Sequence, residues 1–254
     1  MHIRLFLGLV LVGTLLAACS KSNLEDFDLQ LGYEYFPLEV GQSRTYAVDS
    51  IIYDPAQLVN RIDTLSGFLR EDIVDTLQSV SGDVIYRIER YYRRDESQNW
   101  QIHSVVTSSR DEEEAVFTEN NLRFLKLRFP LKTDAEWKGT AYFPEDTEVE
   151  VAGESLEFYK DWNTKVLERR ENYALEAASY SDVYLLELAN FENLIEYRYG
   201  LEAYAPGKGL IYQEIWVLDT QCQYCCNGDF AACSALPWEE KAEKGLILRK
   251  RLIE

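Results

Sequence analysis

The most reactive side chains of this 254-residue sequence are four cysteines held within twelve positions: Cys222, Cys225, Cys226 and Cys233. The Cys222-x-x-Cys225 spacing suits a zinc ligand pair, but structural zinc sites set two such pairs apart by a longer span. An even count in one short loop fits two disulfides in an oxidising compartment better. Four cysteines allow three pairings, and the one that joins the neighbours Cys225 and Cys226 strains the bridge. This leaves Cys222–Cys225 with Cys226–Cys233, or Cys222–Cys226 with Cys225–Cys233. Either would rigidify the loop at 220–244, and neither a metal nor a cofactor is expected.

His103 is the only histidine beyond residue 18. A Ser-His-Asp or Cys-His site would have to use it, and it reads instead as a packed or surface residue of a strand. No Gly-x-Ser-x-Gly stretch is present, and a multi-histidine metal site is ruled out. The 44 acidic residues are too many for any glycosidase-like pair to stand out, so they read as solvated faces. Five tryptophans and seventeen tyrosines are first of all core and cross-strand packing. They could also line a groove for a sugar or another apolar-faced ligand. Trp100, Trp162, Trp216 and Trp238 are the contact candidates, with Trp238, beside the cysteines, the best placed for an exposed contact. No catalytic residue is assigned.

The elements that must position these residues read as strands. Residues 44–53 (RTYAVDSIIY) are rich in β-branched and aromatic side chains and end on the turn signal Asp54-Pro55. Residues 61–77 hold one strand or two. In 83–94 (DVIYRIERYYRR), Val84, Tyr86, Ile88 and Tyr92 share one side. Arg87, Glu89 and Arg93 take the other, while Ile85, Arg90 and Tyr91 break the alternation. Residues 100–106 read as the hairpin partner. Residues 111–114 form an acidic turn before 116–118 and 122–129, where Leu125, Leu127 and Phe129 alternate against Lys126 and Arg128. Residues 147–152 and 156–162 suggest a hairpin about Gly153-Glu154. Residues 165–178 suit a helix or a strand. Strands at 182–188 and 193–199 are separated by a loop at 189–192. Gly207 and Gly209 around Lys208 allow a tight reversal into 210–218, and 246–253 is predicted to pair with 210–218.

This series of about ten hairpin-spaced strands, with no βαβ alternation, predicts an all-β fold. An antiparallel curved sheet or partly closed barrel suits a long meander, with a two-sheet β-sandwich as the alternative. One β domain is expected over 33–254.

The N-terminus carries an address. His2 and Arg4 precede a charge-free apolar run from Leu5 to Leu16, closed by Ala17, Ala18 and Cys19. That is the layout of a secretory leader, and a dozen residues are too few to span a bilayer. Leu16-Ala17-Ala18-Cys19 closely resembles the lipobox of bacterial lipoproteins. The resemblance implies cleavage after residue 18, a diacylglycerol thioether on Cys19 and acylation of the new amine, palmitate being typical. Ser20, where Asp would signal inner-membrane retention, leans toward the outer membrane. Residues 19–32 read as an acidic tether, which also resembles surface-export signals; whether the domain faces periplasm or exterior is left open. The Phe36-Pro37-Leu38 opening and the segment from Tyr204 to Leu210 resemble features of envelope lipoproteins of similar length, which implies no activity.

The formal charge of −18 becomes one unit more negative once Arg4 leaves with the leader. Such a field repels phosphate backbones, so nucleic acid is not an expected partner. The leading expectation is a non-enzymatic, membrane-anchored envelope module that binds an apolar small molecule or a protein partner. It calls for a concave apolar pocket or an exposed aromatic patch. A carboxylate-dependent glycan hydrolase and a purely structural envelope protein are the alternatives.

Overall fold

A computed structural model describes residues 31–57 and 61–254. The expected leader over 1–18, Cys19 and the tether as far as residue 30 lie outside the described residues. The tether was expected to run to residue 32. Leu31 and Gly32 instead belong to the folded part: the Leu31 carbonyl accepts from the Leu131 amide at 3.1 Å, and Gly32 is buried.

Fourteen strands are described. The first six are β1 (Ser43–Tyr53), β2 (Ile62–Gln78), β3 (Val84–Arg93), β4 (Gln101–Arg110), β5 (Glu114–Glu119) and β6 (Leu122–Arg128). Then come β7 (Glu136–Trp137), β8 (Glu148–Val151), β9 (Glu154–Glu157), β10 (Thr164–Leu175) and β11 (Ala178–Glu192). The last three are β12 (Glu196–Ala205), β13 (Gly209–Asp219) and β14 (Lys244–Leu252). Twelve of them form one antiparallel sheet in the order β6-β5-β4-β3-β2-β1-β14-β13-β12-β11-β10-β7, nearly closed into a barrel, and β8 pairs with β9 alone. The expected curved sheet is therefore what forms, not a sandwich.

The sheet is two meanders fused where the first long strand meets the last, with Tyr46 opposite Leu252 and Tyr53 opposite Gly245. Its ends meet through a few bonds. The Leu125 amide of β6 donates to the Gly139 carbonyl just past β7 at 2.9 Å, and Trp137 Nε1 donates to the Leu125 carbonyl at 3.0 Å. Bulges in the pairings of β2, β10, β11 and β12 supply the bending that closure requires. β2 runs unbroken through its bulge, so residues 61–77 hold one strand.

Several local expectations shift. Most of residues 165–178 become the strand β10, which ends at Leu175, because most of them find cross-strand partners on β11, such as Lys165 opposite Glu187 and Tyr173 opposite Tyr180. Pairing overrides a weak helical preference. β11 carries on through Ala189 to Glu192, and the chain turns at residues 193–195. The β8–β9 turn falls on Ala152 and Gly153, φ 51° and 82°, one residue earlier than expected. Positive φ at both centres is what the twist of a two-residue hairpin demands. β9 ends at Glu157, so Phe158 to Trp162 leave the ladder. The turn around Lys208 forms as expected, with Gly207 and Gly209 at φ 70° and 79°, and β14 pairs with β13 along its length.

The barrel is filled unevenly. Ala115, Leu125, Leu127, Trp137, Val166 and Leu186 pack into one apolar core with Tyr35, Tyr184 and Tyr204. The β8–β9 hairpin and the turn after it set Val151, Leu156, Phe158 and Trp162 against Leu188, Ile215 and Val217. Arg198, fully buried, ties the hairpin down. It donates to the carbonyls of Glu157 and Leu218, both at 3.1 Å, and to Asp219 at 2.7 Å.

Residues 220–243 hold three short helices, α1 (Gln223–Cys226), α2 (Phe230–Ser234) and α3 (Trp238–Lys241). The expected pair of disulfides does not form. Cys222 bonds Cys233 across a Cα separation of 5.8 Å, while Cys225 and Cys226 are free thiols. Cys222 and Cys233 come together because α1 and α2 fold back on one another. Cys225 and Cys226 are adjacent in α1, where neighbouring Cα atoms lie closer than a relaxed disulfide spans. The Glu243 carboxylate completes the loop by accepting from the amides of Gln221, Gln223 and Tyr224.

Candidate ligand-binding site

A cavity of about 230 Å³ lies among β1–β6 and β12–β14, and the chain closes on it from two further segments. Phe36, Pro37 and Leu38 come from the stretch before β1. Phe158, Tyr159 and Trp162 come from the turn after β9. The N-terminal stretch is pinned by Arg44, which donates to the Pro37 carbonyl at 2.7 Å, and by Arg110, which donates to the carbonyls of Tyr33 and Phe36.

Strand geometry explains the lining. Residues two apart share a face, and several strands each send one apolar and one polar side chain inward. The pairs are Tyr46 with Arg44, Ile88 with Arg90, Phe117 with Glu119, Phe124 with Lys126, Ile215 with Gln213, and Leu248 with Lys250. The apolar members continue into the aromatic cluster, where Tyr159 stands 5.2 Å from both Phe143 and Trp162 and 5.3 Å from Phe124.

The polar members form two in-register rows. Arg44, Glu71 and Arg90 lie side by side on β1, β2 and β3. Lys250, Gln213 and Glu202 do so on β14, β13 and β12. Arg90 grips Glu71 at 2.8 Å and Glu119 at 2.6 Å. Lys126 of β6 ion-pairs with the fully buried Glu202 of β12, which also accepts from Gln213 at 2.5 Å and Tyr204 at 2.7 Å. Lys250 is more loosely held. Its ammonium lies 3.8 Å from Glu71 and 4.6 Å from the centre of the Tyr46 ring.

Burial by itself would raise the Glu71 carboxyl. Lys250 and Arg90 outweigh it and hold the group down at about 2. Burial draws the Lys250 ammonium below the usual lysine range, with Glu71 opposing and Arg90 assisting. Burial and then Glu71 push the Tyr46 phenol up, so it stays protonated and donates to the Leu210 carbonyl.

Of the tryptophans singled out in the sequence, Trp162 alone lines the cavity. Trp100 lies between the guanidinium groups of Arg70 and Arg93, at 4.9 and 4.4 Å. Trp216 meets Tyr197 edge-on at 5.9 Å and donates to Glu214. Trp238, expected to be exposed, is buried. It stacks on Tyr197 at 5.5 Å, donates to Glu192 and packs with Tyr53, Leu218 and Ile247. None of the four cysteines of the loop at 220–244 lines the cavity. His103 is exposed on β4 and faces Tyr92.

Sequence reasoning missed the charged members of the site. A signal was present. Arg90 broke the alternation of its strand because it occupies an inward position. Lys126, assigned to the polar side of β6, is held inward by a carboxylate six strands away in the chain.

No protein-family model and no curated protein matches the chain. Two solved structures superpose on most of it. One, from Bacteroides fragilis, is described as a "putative exported protein with YmcC-like fold". It has a TM-score of 0.40 and 9% identity, covering 88% of this chain and 97% of its own. The other, from Parabacteroides distasonis, is described as a "putative lipoprotein". It has a TM-score of 0.36 and 11% identity, covering 89% of this chain and 98% of its own.

Proposed function

We propose that this chain is a lipid-anchored envelope protein, held at the outer membrane through Cys19, whose barrel binds a small apolar-bodied molecule without transforming it. The observation that carries the reading is the cavity of about 230 Å³ walled by Phe124, Phe158, Tyr159 and Trp162. Natural cores leave few voids larger than a water molecule. At about 30 Å³ per water-sized group, this one has room for roughly eight. Below the roughly 300–1,000 Å³ of drug-sized sites, a space of that size lined by aromatic rings suits a small apolar-bodied molecule.

The chemistry favours binding over turnover. A glycoside hydrolase needs a carboxyl free to serve as a protonated acid, whereas both carboxylates that line the cavity, Glu71 and Glu119, are tied to Arg90. The small-molecule reading is also favoured over a protein partner docked on the cysteine-rich loop, because Trp238 is turned into the core.

The test is an NMR titration of the tryptophan indole N–H signals with 1-octanol. The Trp162 signal is expected to shift saturably while those of Trp100 and Trp216 stay in place. Leu248→Trp, which fills the cavity from β14, is expected to abolish the shift. An unsaturable shift, or one that persists in the filled variant, would overturn the reading.

A further inference from the structure

Among the described residues that line the cavity, the buried side-chain atoms left without a partner are Arg44 Nε and Trp162 Nε1, both donors. The Lys250 ammonium joins them. Its residue is 7% exposed and it makes no hydrogen bond among the described residues; its nearest carboxylate oxygen is 3.8 Å away. Buried donors normally find acceptors, and each one left over costs stability. Lys250 is aimed into the space that a ligand would fill.

The charges agree with the donors. Four cations line the cavity: Arg44, Arg90, Lys126 and Lys250. Three carboxylates answer them: Glu71, Glu119 and Glu202. One positive charge is left over inside a chain whose net charge is −18. Arg44 contacts only neutral oxygens, the Pro37 carbonyl and Gln42 Oε1, both at 2.7 Å. The excess therefore falls on Arg44 and Lys250, the two cations of the lining without a carboxylate hydrogen bond.

We infer that the ligand is a small amphiphile with a single negatively charged head, a carboxylate or phosphate oxygen, seated on Lys250 beside Arg44 with its apolar tail against Phe124, Phe158 and Trp162. This rests on the cavity being a ligand site and names the class of molecule it takes. A neutral head would leave the extra positive charge uncompensated. A cation would add charge to a floor that already has one cation too many.

The test compares octanoate, octyl phosphate, 1-octanol and octylamine by calorimetry on the mature chain. A hydrogen bond to a charged group adds about 1.5–3 kcal/mol, so octanoate or octyl phosphate should bind at least about tenfold tighter than 1-octanol. Octylamine should bind most weakly. Whichever anion binds tighter identifies the head. Lys250→Met should erase the preference for the anions over 1-octanol, and Arg44→Met should reduce it. If Lys250→Met fails to fold, the head-group series on the natural chain and the Arg44→Met arm decide. Anions that bind no better than 1-octanol overturn the inference and leave the cavity reading intact. A preference that survives both substitutions also overturns the inference. If none of the four binds, both fall together.

Discussion

At the scale of single residues, Glu71 is the hub of the charged floor. It is 8% exposed, bonded to Arg90 and within 3.8 Å of Lys250. Removing one member of a buried ion pair leaves the others uncompensated, which typically costs about 3–5 kcal/mol. Glu71→Gln is therefore expected to destabilise the fold by about that amount at neutral pH, read by urea unfolding. The pH dependence has a definite sign. The Glu71 carboxyl is depressed from 4.5 to about 2 in the folded chain. Its contribution is present above 4.5 and is lost as pH falls from there toward 2. Glu71→Gln should flatten that limb of the profile, and an unchanged acid limb would show that Glu71 is not the group responsible. This residue could not be found from the sequence, because one carboxylate among 44 carries no mark until two strands set cations beside it. Arg90 was legible as an irregularity of alternation, though not as the partner of particular carboxylates, whereas Lys126 fitted the regular polar side of its strand.

At the scale of elements, the hairpin β8–β9 and the turn after it close the cavity, and Arg198 fastens them to β12 and β13. All four of its hydrogen bonds end on the hairpin, on the neighbouring strand ends or on Asp219. Arg198→Met should lower stability by about 3–5 kcal/mol, because Asp219 then lacks its closest cation. It should also speed amide exchange at Val151 and Leu156 more than in the β1–β14 ladder. Equal exchange in both places would mean that the hairpin is held by its apolar contacts alone. Strand identity was largely readable from β-branched and aromatic runs, as in β1, β3 and β13. β10 was not, since its charged sequence suits a helix until β11 supplies partners. The cysteine loop divides in the same way. Its position between the last two strands was readable, but its pairing depended on how α1 folds back on α2.

At the scale of the whole molecule, the anchor and the barrel are separate propositions and need separate tests. The anchor rests on Leu16-Ala17-Ala18-Cys19. Expressed in a diderm bacterium grown with an alkyne-bearing fatty acid, the chain should carry the label in the membrane fraction, and Cys19→Ser should carry none. A labelled Cys19→Ser chain, or an unlabelled natural one, would remove the anchor and leave the cavity untouched. The barrel puts its site on the inward face of strands from both meanders, so the ends of the chain cooperate. β1 supplies Arg44 and Tyr46, while β14 supplies Leu248 and Lys250.

The sequence by itself determined the all-β class, the strand series, the leader pattern, and the absence of histidine clusters or nucleophile motifs. These are local properties: side-chain alternation, β-branching, turn residues and a short apolar run are each written within a few consecutive positions. Only the tertiary structure decided that the sheet curls until β6 meets β7, that Cys222 pairs with Cys233, and that Trp238 is buried. It also decided that Lys250 and Arg44 line one pocket. That last fact depends on residues about 200 positions apart becoming neighbours, and no local pattern records which charge will meet which.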